Sequence, residues 1–170
     1  MWTALDIQDV EAIERFVEVM HQMDGRYMAL TLAQVRSTMK RRGAELDRYA
    51  GPDFELYMYF RPSRRQQRHY LWSVGMAGNV TAAAAVDLLA DNMQRYLERH
   101  CLEEAYAIRP WTMDYGPIQE VHDWVPKHPD FEVTVVEESP DSAIWKLMPR
   151  PRSIRESSFR VERAAATLPG

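Results

Sequence analysis

The sequence predicts an α/β fold, a mixed α+β sheet in the order β-α-α-β-β-α-β-α-β-β with an extended Arg-rich tail after it. Three observations predict it. The run TAAAAVDLLADNMQRYLERH from Thr81 repeats its apolar residues at helical spacing and is the longest regular pattern in the chain. Apolar, aromatic stretches stand before and after it, FELYMYF and HYLWSVGMA on one side and EEAYAIRPW on the other. Near the end, FEVTVVEE and SAIWKLMP flank the turn residues Ser139, Pro140 and Asp141.

The elements follow in order. Trp2 to Leu5 reads as a short strand, and Asp6 as the N-cap of a helix with an apolar stripe at Ile7, Val10, Ile13, Val17 and Met20. That helix is expected to stop near Asp24 and Gly25. A second begins at Thr31, which has capping-box spacing to Gln34, with Leu32, Val35 and Met39 as its apolar face. Lys40, Arg41 and Arg42 complement the dipole at its C-terminus before Gly43. After the turn Gly51-Pro52-Asp53, FELYMYF and HYLWSVGMA form an antiparallel hairpin around the basic loop RPSRRQQR. In the long helix, Thr81 is the cap and Val86, Leu89, Met93 and Leu97 share a face. The strand after it implies a parallel pair joined by a right-handed crossover. A short helix is expected after Gly116 and Pro117, with Ile118, Val121 and Val125 ahead of Pro126, and the last two strands close the domain as a hairpin.

A chain of 170 residues suits one domain, in which roughly 70% of the unfolded surface can be buried. Residues 1–148 form that domain and 149–170 the tail. The single cysteine, Cys101, allows no internal disulfide, and no Cys/His cluster has zinc-site spacing, which suits a reducing compartment. Neither a signal peptide nor an apolar run of membrane-spanning length is present, so the expectation is a cytoplasmic protein without a membrane partner. Net charge is −4, which gives the whole chain no general affinity for nucleic acid. The charge is uneven, however: residues 149–170 carry five arginines against two glutamates.

The segment SVGMAGNVTAAAAV, from Ser73 to Val86, leads from a strand through two glycines into the long helix. The first N–H groups of a helix have no partners within it, and with the helix dipole they make a site for an anion. Together with the element order, this segment resembles the GNAT family of N-acetyltransferases over residues 1 to 148. In that family the turn before the long helix carries Arg/Gln-x-x-Gly-x-Gly/Ala and binds the pyrophosphate of acetyl-coenzyme A. Setting Leu88 and Leu89 against the leucine pair that follows the family motif puts Ala83 and Ala85 at the small positions and Val80 where Arg or Gln stands. The resemblance implies a coenzyme site at Val74, Gly75, Gly78, Asn79, Val80, Thr81, Ala82 and Ala83. It also implies a general acid, often a tyrosine, in the segment PIQEVHDWVPKHPDF, where this chain has Trp124. Tyr115 is the substitute acid, and Glu55, Glu104 and Glu120 are the carboxylates for the base.

With Val80 and Trp124 departing from the family pattern, the sequence reads foremost as a non-catalytic GNAT-like component of a larger assembly, with no cofactor. It resembles GNAT-fold virion and accessory proteins of short-tailed bacteriophages, which implies a place in the virion or host cytoplasm. The first alternative is an acetyl-coenzyme A dependent N-acyltransferase; the second is a protein that binds phosphate backbones. Partner contacts are expected in two places. The basic loop holds Arg61, Arg64, Arg65 and Arg68, suited to nucleic acid or an acidic protein surface. The tail holds Arg150, Arg152, Arg155 and Arg160, with Phe159 as an apolar anchor, and is expected to be held by another protein of the assembly. His122, Asp123 and His128 read as surface residues at a helix end and not as metal ligands, and Cys101 as a buried or idle thiol. The aromatic residues of the hairpin read as sheet core.

Overall fold

Seven strands and three helices make up the described part of the computed structural model, residues 1–23, 31–110 and 128–151. They are β1 (Trp2–Ala4), α1 (Val10–Met23), α2 (Leu32–Arg42), β2 (Glu45–Ala50), β3 (Phe54–Ser63), β4 (Arg68–Gly78), α3 (Ala82–Arg99), β5 (Ala105–Pro110), β6 (Phe131–Glu138) and β7 (Ser142–Pro149). The strands form one sheet in the order β1-β2-β3-β4-β5-β7-β6. Every pairing is antiparallel except β4 with β5, which the α3 crossover makes parallel, as the sequence predicts. The mixed α+β class is the one expected; the short helix expected after Pro117 lies outside the described residues.

Period-two alternation sorts the side chains of β3 to the two faces of the sheet. Leu56, Met58 and Phe60 pack with Leu89, Met93 and Tyr96 of α3, and the rings of Phe60 and Tyr96 stack at 3.9 Å. Tyr57 and Tyr59 face the other way, into a second core with Ile13 and Phe16 of α1 and Val35 and Met39 of α2. Tyr57, Tyr59, Phe60 and Tyr70 are all buried, as expected of sheet core.

Both later caps are those read from the sequence. Thr31 and Gln34 form the reciprocal capping box, and Gly43 ends α2 in the left-handed conformation at φ 64°. The Thr81 hydroxyl accepts the N–H of Ala84 at 3.2 Å. The start of α1 is different. The N–H groups of Ala12 and Ile13 turn to the side chain and carbonyl of Asp9, while Asp6 accepts from Gln8 in a turn ahead of the helix. Helix α1 therefore begins three residues later than an Asp6 cap implies. Val10 is exposed, and Phe16 and Val19 complete the buried stripe.

The strand missing from the sequence reading is β2, ELDRYA. Its charged residues disguise it, yet it pairs along its whole length with β3. The hairpin of β3 and β4 also runs further than expected. Arg61 and Arg68 are strand residues, and the connection shrinks to Arg64–Gln67, with Gln67 at φ 54°. Strands β6 and β7 have the expected bounds, and in their turn Ser139 donates its N–H to the Ser142 carbonyl at 2.9 Å.

Candidate functional site

The candidate site lies where the ladder between β4 and β5 stops. Strand β4 pairs with β5 only at Tyr70 with Tyr106 and Leu71 with Ala107. The next residue, Trp72, is the extra residue of a bulge: Phe60 stands opposite Leu71, whereas Tyr59 stands opposite Ser73. A bulge bends and twists its strand, so β4 turns away from β5 at this point. Its later residues keep their ladder to β3 as far as Gly78. Half of the backbone groups from Ser73 onward point to the other side, where no strand pairs with them among the described residues.

Helix α3 starts at the end of this diverging strand. Thr81 satisfies Ala84 through its hydroxyl and Ala85 through its carbonyl, so the N–H groups of Ala82 and Ala83 are the ones without partners in the helix. The methyl groups of Ala83 and Ala84 are exposed and leave this end open to an anion. Val80 is half-buried against the α3 core and supplies no polar group.

The two glycines are occupied by the fold. A side chain at Gly75 would meet the Met20 sulfur at 2.7 Å, so this glycine lets α1 lie against β4. Gly78 has φ +91°, and a Cβ there would stand 2.3 Å from the Asp53 carbonyl. The same carbonyl accepts the Asn79 N–H at 3.2 Å, which fixes the corner before the helix. Val74 is buried in the core beneath α3.

The two candidate bases within the described residues, Glu55 and Glu104, are held by polar partners. Glu55 accepts from Arg15 Nε at 2.8 Å, from Arg48 and from the Tyr57 hydroxyl at 2.7 Å. Burial works against its charge, but the hydrogen bonds from Arg15, Tyr57 and Arg48 prevail and hold its pKa below the usual carboxylate value. Burial, then the bond to Glu55, pushes the Tyr57 phenol up to about 12. A carboxylate so stabilised in its charged form is a poor proton acceptor. Glu104 stands just before β5, at the end away from the candidate site, and accepts from Tyr106 at 2.9 Å.

A polar network with Asp47 and Asn92 at its buried end lies between β2, β4 and α3, and the sequence reading missed it along with β2. Asp47, 2% exposed, accepts from Asn92 at 3.0 Å and pairs with Arg99. Glu45 pairs with Arg99 and meets His100 Nε2 at 2.8 Å. His69 Nδ1 meets the Tyr96 hydroxyl at 2.8 Å, and burial, then the neighbouring His100, lowers its pKa. The one sequence signal was the placing of Asn92 on the buried side of α3.

One further expectation is corrected and another, the buried or idle Cys101, is narrowed. His128 is buried, not a surface residue, with Nε2 3.3 Å from Asp87 and Nδ1 accepting the Asp130 N–H at 3.2 Å, because it tucks between α3 and the start of β6. Cys101 is exposed rather than buried, in a left-handed turn at φ 52° after α3. Arg64 and Arg65 are exposed at the hairpin tip, and Arg150 donates its N–H to the Asp130 carbonyl at 2.9 Å. Tyr115, Glu120, His122, Asp123, Trp124, Arg152, Arg155, Phe159 and Arg160 lie outside the described residues. Among the described residues no group of three or more His, Cys, Asp or Glu is placed to hold a metal ion, and no helix is long and apolar enough to cross a membrane.

No protein-family model and no curated protein sequence matches the chain. Solved structures do match it in shape. An aminoglycoside 6'-acetyltransferase of type Ii superposes with a TM-score of 0.63 at 8% identity, over 89% of this chain and 99% of the other. The aminoglycoside 6'-N-acetyltransferase from Enterococcus faecium gives 0.60 at 12% identity, with the same coverage. A ribosomal-protein-alanine N-acetyltransferase from Brucella melitensis gives 0.54 at 16%, over 87% of this chain and 99% of its own. These identities speak for the fold alone, and the fold is that of the GNAT acetyltransferases.

Proposed function

We propose that the chain binds an acyl-coenzyme A in the gap between β4 and β5 and serves as an N-acyltransferase. One observation carries this reading: β4 leaves β5 directly after the Trp72 bulge, and the N-terminus of α3 opens at that same end. In this reading the N–H groups of Ala82 and Ala83 hold the pyrophosphate, with the positive end of the helix dipole behind them. Beyond Leu71 no described strand pairs with this side of β4, and its backbone groups at Ser73 and Gly75 are the proposed partners of the amides of the pantetheine arm. The coenzyme supplies a thioester carbonyl for an amine to attack. Glu55 stays charged between Arg15 and Arg48 and holds α1 to the sheet, which argues against it as the base; Tyr115, outside the described residues, is the proposed acid.

Calorimetric titration with acetyl-coenzyme A tests the reading, with Ala83→Glu as the control. A carboxylate in the first turn of α3 leaves the helix as stable or more so, because it complements the dipole, but it repels the pyrophosphate. Binding should weaken about tenfold or more. Absence of binding at millimolar coenzyme sinks the proposal.

Val80 favours a second reading, a non-catalytic component of a larger assembly such as a phage particle, with its partners on the Arg-rich tail. In that case removing the residues after Arg150 abolishes assembly and leaves the domain folded. Incorporation of the shortened chain at the normal level counts against it.

A further inference from the structure

Two basic runs that are distant in sequence meet at one corner of the molecule. Lys40, Arg41 and Arg42 form the last turn of α2, and the β3–β4 hairpin carries Arg61, Arg64, Arg65 and Arg68. They adjoin where Gly43 ends α2, since a Cβ there would lie 4.0 Å from the ring of Pro62. Arg42 and Arg61 both act on the Tyr59 phenol, opposing the rise that burial gives its pKa. Arg68 is fixed over the ring of Tyr106, 4.5 Å from its centroid, with a hydrogen bond of 3.4 Å to the Tyr70 hydroxyl. Arg41, Arg42, Arg64 and Arg65 are exposed.

Each run has a local use. Cations complement the C-terminus of α2, and charge on a hairpin discourages edge pairing. Neither use requires the two runs to converge. Among the described residues, the nearby carboxylates Glu45 and Glu104 have other partners: Glu45 has Arg99 and His100, and Glu104 has Tyr106 and Lys146.

We propose that this corner binds the phosphate backbone of a nucleic acid. Protein interfaces are centred on apolar or aromatic anchors. Among the described residues the exposed large hydrophobic side chains are Met1, Val10, Val135 and Val136, and none of them is on α2 or the hairpin. A surface of guanidinium groups without an apolar centre draws its affinity from charge, as backbone recognition does, and each fork fits a phosphate. The acidic balance of the whole chain, −4, opposes approach from other directions and makes the corner directional.

The test is fluorescence anisotropy of the full chain with a mixed-sequence 20-nucleotide DNA or RNA probe, as single strand and as duplex, from about 50 to 300 mM salt. Sequence-independent binding is expected, with log K falling linearly against log salt. Arg41→Gln on α2 and Arg64→Gln on the hairpin should each weaken binding and reduce the slope by about one phosphate contact. Both positions are exposed, and unchanged thermal melting of the variants confirms that folding is not the cause. Absence of binding at the lowest salt overturns the proposal, as does a salt-independent affinity. If Arg64→Gln weakens binding and Arg41→Gln does not, the two runs are not one surface. Equal affinity for polyglutamate overturns the assignment to nucleic acid.

Discussion

Gly75 and Gly78 look alike in the sequence, three residues apart before the long helix, but they do different work. At Gly78 the backbone has φ +91° and the Asp53 carbonyl fills the space of a side chain, so nothing can yield. At Gly75 the obstacle is the sulfur of Met20, the flexible end of a side chain. Gly78→Ala should therefore lower unfolding stability by about 1–3 kcal/mol, and Gly75→Ala by about 1 kcal/mol or less, as read by urea titration. Equal effects would refute this division. Asn92 gives a second prediction at this scale. Asn92→Ala leaves Asp47 with Arg99 as its remaining named partner and should cost about 2 kcal/mol by the same measurement. A loss below about half a kcal/mol would mean that Asp47 is satisfied in another way.

Among the elements, β4 carries the proposed site. Its bulge at Trp72 is a single inserted residue, and on either side the ladder to β3 is regular. Deleting Trp72 would bring Phe60 with Leu71 and Tyr59 with Ser73 into one continuous register. The chain should still fold, with β4 straightened alongside β5 and coenzyme binding lost; binding that survives the deletion would show that the splay is not the site. At the head of α3, Thr81→Ala removes the cap of Ala84 and should cost about 1 kcal/mol. The helices were legible because caps and a 3.6-residue period are local properties. Strand β2 was not, because ELDRYA places Glu45 and Asp47 where apolar residues would mark a sheet face. Their partners Asn92, Arg99 and His100 come from α3, some 45 to 55 residues away. The bulge was equally hidden, since nothing in HYLWSVGMA says which residue β3 will skip.

For the whole molecule, the charged clusters set the pH range of stability. The pKa of His69 is lowered in the folded state, so its contribution is present above the ordinary histidine pKa near 6.5 and is lost as pH falls through the folded value. Glu55 is also lowered, so its contribution is present above about 4.5 and disappears at more acid pH. The Tyr57 phenol is raised to about 12, and its contribution declines as pH rises from about 10. Stability followed by denaturant titration should thus fall in two stages on acidification, the first of them absent in His69→Phe. A first stage that persists in this variant would locate it elsewhere. By itself the sequence determined the class of fold, the three helices with the caps at Thr31 and Thr81, the parallel crossover and the final hairpin, because periodicity, capping and turn chemistry act within a few residues. Only the tertiary structure decided where β4 parts from β5, what the glycines at 75 and 78 are for, and which groups the acids of β2 pair with. Those outcomes depend on register and on contacts between distant segments, which no local stretch of the chain encodes.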